Sequence, residues 1–435
     1  MKSKGIGFWG ATSMVVANMV GTGVFTSLGY QLYGTHDGFA ILMIWLIGGI
    51  VALFGAFAYA EIANRLPQNG GEFYFLSEIY HPIVGFMAGF VSATVGFAAP
   101  VAGACLAFGA YLNGLFDGVD GKFIGAILMV LISVLHSKSI KVGMLFQKIS
   151  TLGKIIIIGL FVGVGFIWSG DHVNVGLDLT MTDKSWGEIW SNGWFNAAFS
   201  VSLVWVSFAY SGWNASAYIA GSIENPEKNL TRSIVIGTLL VILAYLGLNS
   251  VFLLNAPIDE LQGKKEVGLI AANYIFGSGW GKIMGGIISI LLISTISSMI
   301  FTGPRVLNEM FKKLKGFSSW AVVDSKSIPV PSIFTQLGLS LILLYTLDFE
   351  SLIYYVAFTL SFFTILTVFG IFILRIKDGK PIGYKAFGYP ITPLIFIVMT
   401  SSVAWFFITE KPFESLLGLC TGLLGAGLYF FRVQD

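Results

Sequence analysis

Charge is what this sequence has least of. Asp, Glu, Lys and Arg make up 11% of the 435 residues, against 55% hydrophobic, and mean hydropathy is +0.81. That balance excludes an ordinary soluble domain. Cysteine is nearly absent: Cys105 and Cys420 both lie within apolar runs. No structural disulfide is expected, and both read as buried small hydrophobes. The four histidines (His36, His81, His136 and His172) are scattered at the ends of runs. An integral membrane enzyme would need clustered His, Asp or Glu at one depth, so no catalysis, cofactor or metal is expected. No Gly-Lys pair precedes Ser or Thr, which excludes a P-loop and direct use of ATP. Connecting segments are too short for a soluble catalytic domain. The net charge of +2 says little about partners, and no nucleic-acid partner is expected.

Long charge-free runs are what the chain does have. They include 5–35, 38–60, 83–116, 155–170, 189–223, 233–258, 283–304, 327–347, 351–374, 386–409 and 415–431. A helix needs about 20 apolar residues to cross a bilayer. With the shorter segment 123–135, the count is twelve spans. Strand-like alternation is missing, so a transmembrane β-barrel is not expected. Placing the N-terminus inside puts eighteen of the 25 Lys and Arg at inner ends and six at outer ends, with Lys154 left over. Positive charge marks the cytoplasmic side. The expectation is therefore a multi-pass inner (plasma) membrane protein with both termini cytoplasmic.

Two spans are interrupted. In "MVVANMVGTGVFTSLGY" (14–30), Gly21-Thr22-Gly23 falls in mid-span. In "VSFAYSGWNASAYIAGSIENP" (206–226), Ser211-Gly212 lies deep in the sixth span. Glycine in membrane helices also serves close packing, and that reading fits Gly48-Gly49 and Gly285-Gly286. The two breaks differ in having polar flanks, Asn18, Thr22, Ser211 and Asn214, and in lying five spans apart. Interrupted spans at corresponding positions of two halves point to an inverted-repeat transporter. The repeats would be 1–170 and 171–376, with residues 377–435 forming spans eleven and twelve.

A broken helix frees N–H groups at the start of its second half and C=O groups at the end of its first. The former carry partial positive charge and the latter partial negative. Such backbone survives at membrane depth only when buried in protein or lining a cavity. Facing breaks thus suit a zwitterion. The N–H groups of Thr22, Gly23 and Val24 are candidates for a carboxylate. The carbonyls near Met19, Val20, Phe208 and Ala209 are candidates for an ammonium. Glycines at Gly21 and Gly23 would leave room for the ligand. No charged residue lies in either break, favouring a ligand side chain without net charge. Phe208 directly precedes the second break and is the candidate gate, although aromatic residues there can also simply pack the bundle. Lys154 has two readings: an intramembrane charge is a functional candidate, or it snorkels toward Lys148 and Lys141. The segment 61–82 suits a helix at the inner leaflet or an interfacial connector.

These motifs resemble the amino acid–polyamine–organocation superfamily along nearly the whole chain, especially its L-type (light-chain) branch and bacterial relatives. "VGTGVF" (20–25) matches the glycine motif of the first span. "FAYSGWNASAYIAGSIENPEKNLTRSI" (208–234) matches the sixth-span signature, "YAEIANRLPQNGGEFYFL" resembles the segment after span two, and "FTGPRVLNEM" and "IPVPSI" resemble the eighth span and the start of the ninth. The resemblance implies an all-α polytopic fold with a five-plus-five inverted repeat, discontinuous helices one and six, and alternating access. It implies a sodium-independent exchanger of neutral L-amino acids, with proton-coupled symport as the alternative and a small-solute channel behind it. The substrate is implied to bind at Val20, Gly21, Thr22, Gly23, Val24, Phe208, Ala209, Ser211 and Asn214, with Phe208 as gate and Asn214 supporting the unwound region. Lys154 is implied to take the place of a second sodium ion, and Ser294, Thr295, Ser297 and Ser298 to face the same locus. Animal light chains carry a cysteine between spans three and four. Segment 113–122 has none, which argues against a disulfide-linked glycoprotein partner.

Overall fold

The structure is a computed structural model. It describes residues 5–33, 37–113, 116, 118, 120–138, 140–168, 197–321, 328–381 and 383–432. The expected repeat boundary at 170/171, the first part of the run 189–223, and His36, His172, Lys184 and Lys326 lie outside the described residues.

Those residues are nearly all helical. In chain order the helices are α1 (Phe8–Met19), α2 (Gly23–Gln31), α3 (Gly38–Arg65), α4 (Glu72–Ile79), α5 (Pro82–Val91), α6 (Ala99–Asn113), α7 (Gly121–Lys138), α8 (Ile140–Trp168), α9 (Ala197–Ala209), α10 (Pro226–Asn255), α11 (Ile258–Leu261), α12 (Val267–Phe276), α13 (Trp280–Lys313), α14 (Val330–Thr346), α15 (Phe349–Asp378), α16 (Ile391–Glu410) and α17 (Pro412–Arg432). A π-helical stretch, Ser92–Ala98, joins α5 to α6, and a 3-10 helix covers Ala215–Ser222. Ten helices or helix pairs are long and apolar enough to cross a membrane. Among the described residues α12 and α14 are shorter apolar helices.

Local chemistry places the helix starts. Asp37 and Asp348 cap α3 and α15, their side chains accepting from the N–H groups of Ala40 (2.7 Å) and of Glu350 and Ser351 (both 3.0 Å). These N–H groups have no intrahelical acceptor, so a side-chain oxygen there stabilises the start by about 1 kcal/mol. Pro82 and Pro226 open α5 and α10, where a missing N–H costs nothing. Packing is by small residues. A Cβ on Gly48 would lie 2.3 Å from Val206, and one on Gly49 2.8 Å from Ile242, so this pair serves close helix contact as expected. Cys105 is buried, but Cys420 is exposed on α17. The expectation of two buried thiols fails for Cys420 because α17 is a peripheral helix with one face uncovered.

Segment 61–82 does not lie flat on a surface. Its helix α4 buries Glu72, Phe75, Leu76 and Ile79 and packs against α5 and α15. Gly71, at φ +55°, allows this, because a Cβ there would sit 2.4 Å from the Tyr218 ring. Beside it, Glu61 is fully buried. Its carboxylate accepts from Arg375 Nε (2.9 Å) and Nη2 (2.5 Å), Arg65 Nη2 (3.1 Å) and the Ala386 N–H (2.7 Å). Arg375 also stacks 3.6 Å over the Tyr389 ring. Charge counting uses Arg65 and Arg375 only as markers of sidedness. Here they neutralise a buried acid and clamp α3 to α15.

Removing one member of such a pair leaves the others uncompensated. Glu61→Gln should therefore lower unfolding stability by about 3 kcal/mol, read as a depressed thermal midpoint of the detergent-purified protein. An unchanged midpoint would mean that the clamp is solvent-screened.

Candidate functional site

The first span breaks where its sequence says it should. α1 ends at Met19 and α2 begins at Gly23. In the gap the Gly21 N–H donates to Met19 O (2.8 Å) and the Phe25 N–H to Thr22 O (3.0 Å). The N–H groups of Thr22, Gly23 and Val24 have no backbone acceptor among the described residues. They form the start of a helix, where anions are favoured. The sixth span breaks after Ala209. The Tyr210 N–H reaches Val206 O and the Ser211 N–H reaches Phe208 O, Gly212 takes φ +95°, and the chain continues as a 3-10 helix. Only a residue without Cβ adopts that φ without strain.

The two breaks lie against each other. A Cβ on Gly23 would fall 2.6 Å from Ala209 Cα, and one on Gly212 3.0 Å from the Asn18 backbone. Each break thus uses its glycine to seat the other's backbone. This corrects one expectation: the space beside Gly23 is filled by Ala209 and is not free for a ligand. Gly21 faces α13, with Thr295 Cγ2 3.3 Å from where its Cβ would be.

The carbonyls freed by the first break are claimed by side chains. Lys154, 0% exposed, donates from Nζ to Val20 O (2.5 Å) and to Thr295 Oγ1 (2.8 Å), and Thr295 Oγ1 donates to Val20 O (2.9 Å). The lysine therefore does not snorkel. Its ammonium lies at the negative end of α1, where a cation is favoured. Tyr245 Oη lies 2.6 Å from Met19 O and 3.0 Å from Ala209 O, one hydroxyl between the ends of both half-helices. Asn18 Nδ2 donates to Met14 O (2.8 Å) and Ser298 Oγ (2.5 Å). A carbonyl accepts about two hydrogen bonds. Val20 O and Met19 O are then filled, whereas Phe208 O and Ala209 O, with one partner each, keep one lone pair open.

Of the remaining expected residues, Phe208 and Ser211 are partly buried and line a cavity of about 90 Å³ with Ser207, Ser361, Thr364 and Thr400. Thr22–Val24 do not line it. Asn214 Nδ2 turns to Glu72 Oε1 (3.3 Å). The four polar residues of α13 do not all face one locus. Thr295 and Ser298 face the break, Ser297 bonds His136 Nε2 (2.8 Å) on the opposite side, and Ser294 Oγ is buried without a partner. Tyr245 and Glu72 are missed by sequence reasoning. Tyr245 offers a faint signal, as a lone hydroxyl in the apolar stretch "VILAYLGL".

The sequence model described as "Amino acid permease" matches residues 6–415. The chain is 28% identical over 447 residues to the serine/threonine exchanger SteT of Bacillus subtilis, covering 98% of this chain and 96% of that protein. It is 25% identical over 441 residues to the b(0,+)-type amino acid transporter 1 of Mus musculus (98% and 87%). It is likewise 25% identical over 443 residues to the large neutral amino acids transporter small subunit 2 of Homo sapiens (99% and 80%).

If Gly23 is held by contact with Ala209, Gly23→Ala should lower the thermal midpoint of the purified protein. Gly159→Ala, at a site with nothing within 4 Å, should leave it unchanged or raise it slightly, since Ala in a helix is favoured over Gly by roughly 0.5–1 kcal/mol. Equal effects of the two substitutions would remove the contact as the reason for glycine.

Proposed function

Because the chain belongs to the amino acid permease family, we propose that it is a sodium-independent exchanger of neutral L-amino acids working by alternating access. Family membership makes it an amino acid transporter of the membrane and not an enzyme. The exchange mode, the substrate range and the site residues are the proposal. The observation that carries it is the buried Lys154 ammonium on Val20 O, beside two glycine-broken spans set back to back.

The substrate carboxylate sits on the N–H groups of Thr22, Gly23 and Val24, at the positive end of α2. Its ammonium takes the open lone pairs of Phe208 O and Ala209 O. The zwitterion then bridges the two spans, one pole on each. Ser211 and Asn214 border the substrate, and Phe208 closes over it and excludes water. With no charged residue in either break, a charged substrate side chain would be buried unpaired, so neutral side chains are preferred. Lys154 supplies a fixed positive charge to the end of α1, where a sodium-coupled transporter would need a mobile ion. The similarity to a serine/threonine exchanger and to a large neutral amino acid transporter supports exchange and neutral substrates. The inverted repeat (1–170 and 171–376), the cytoplasmic termini and a place in the inner (plasma) membrane belong to this reading.

Reconstituted protein in sodium-free buffer should take up labelled amino acid faster when the lumen holds unlabelled amino acid. An absolute sodium requirement would overturn the role of Lys154, and flux without trans-stimulation would favour a channel. Charged hydrogen bonds contribute about 1.5–3 kcal/mol each. Lys154→Gln should therefore cut exchange by roughly tenfold or more. Ligands that bind the native state raise its stability, so a thermal-shift screen across amino acids identifies the substrate.

A further inference from the structure

Glu72 is a buried acid that the binding geometry does not use. It opens α4, in the connector between the second and third spans, and is 1% exposed. Oε1 accepts from Tyr59 Oη (2.5 Å) and Asn214 Nδ2 (3.3 Å). Oε2 has no hydrogen-bond partner. Unlike Glu61, it has no arginine or lysine: among the described residues no charged side chain bonds to it.

We propose that Glu72 is a proton-binding site whose occupancy is tied to the packing of the sixth span. The carboxyl holds its proton while Asn214 and Tyr218 cover it, and releases it to water when they withdraw. This rests on the alternating-access reading.

Three observations converge on it. First, an isolated buried carboxylate is costly, and without a cation such a group takes up a proton instead of staying charged. A metal ion is a poor occupant. Hard cations take six or more oxygens, and among the described residues no group of three His, Cys, Asp or Glu could hold one. Second, two of the groups over the carboxyl belong to an element next to a break. Asn214 and Tyr218 lie just past the break in the sixth span. Tyr218 Oη meets Ser92 Oγ (3.2 Å) at the start of the π-helical stretch in the third span, and its ring packs edge-on to Phe97 in the same stretch (5.2 Å). Such stretches are uncommon and often accompany function. Third, a route for water lies close. The 90 Å³ cavity against Phe208 and Ser211 carries the hydroxyls of Ser361, Thr364 and Thr400, and Thr364 is also among the groups acting on Glu72.

The titratable groups facing Glu72 are Tyr59 from α3 and Tyr218 from the 3-10 helix. From α15 it meets Thr364, and α5 contributes no titratable group to it. Burial pushes the carboxyl up to about 7, and the polar groups of Tyr59, Tyr218, Thr364 and Asn214 pull the other way. The sign follows. The covered state binds the proton more tightly than a state open to water, where the carboxyl returns toward about 4.3. Protonation therefore favours the covered state at low pH. That preference is lost as pH rises through about 7.

The test is infrared spectroscopy of the full chain in detergent, without amino acid, titrated from about pH 5 to 9. A carbonyl stretch of a neutral carboxylic acid should be present at low pH, fade near neutrality and be missing from Glu72→Gln. Tyr59→Phe removes a donor that favours the charged form, so its midpoint should move up. In liposomes, exchange by Glu72→Gln should lose the pH dependence that the unsubstituted protein has across this range. No titrating band, a band that survives in Glu72→Gln, or a Tyr59→Phe midpoint that stays or falls would each overturn the proposal. If Glu72→Gln does not fold, the Tyr59→Phe shift decides. The infrared readout needs no transport. A titrating band with no amino acid exchange would overturn the exchanger reading and leave the proton site standing.

Discussion

A helix that stops in mid-membrane must find partners for its last carbonyls, and the rest of the site is arranged around that need. Unpaired backbone in hydrocarbon is costly. Met19 O and Val20 O are answered from three directions: Tyr245 on α10, Lys154 on α8 and Thr295 on α13. These donors do more than satisfy oxygens. They tie the first span to the fifth, seventh and eighth. Tyr245 also reaches Ala209 O, so the end of α9 is held by the same hydroxyl as the end of α1. The positive ends at Thr22–Val24 are left open by contrast. That asymmetry, carbonyls filled and N–H groups free, is the feature on which the proposed carboxylate site rests.

The glycines follow from the same constraint. Two broken helices can share partners only if their backbones approach closely. Gly23 against Ala209 and Gly212 against Asn18 permit this approach. Packing and function are therefore not rival explanations of these glycines. Close contact of the two spans also sets the orphan groups of one break beside those of the other, as the proposed binding site requires.

Two buried acids are handled in different ways. Glu61 is neutralised by Arg65 and Arg375 and ties α3 to α15. Glu72, eleven positions along the chain, is covered only by hydroxyls and an amide. The first arrangement suits a fixed joint. The second leaves a group whose charge depends on what covers it, placed beside the part of the sixth span that the proposed alternating access would move.

The apolar runs and their breaks were legible in the chain itself, because hydrocarbon demands about 20 apolar residues per crossing and tolerates a glycine pair in mid-span only for a reason. For the same reason Gly21–Gly23 and Ser211–Gly212 could be paired, and Lys154 singled out as a charge where charge is costly. Helix periodicity does not say which residue faces which neighbour. Tertiary structure alone decided that Lys154 reaches Val20 O and does not turn to the surface. It decided that Ser297 faces His136 while Thr295 faces the break, and that Tyr245 spans both half-helices. The same holds for Glu72, one of several acids in a polar connector until folding buries it against Asn214. Its chemistry depends on desolvation and on partners far along the chain, neither of which a linear pattern carries.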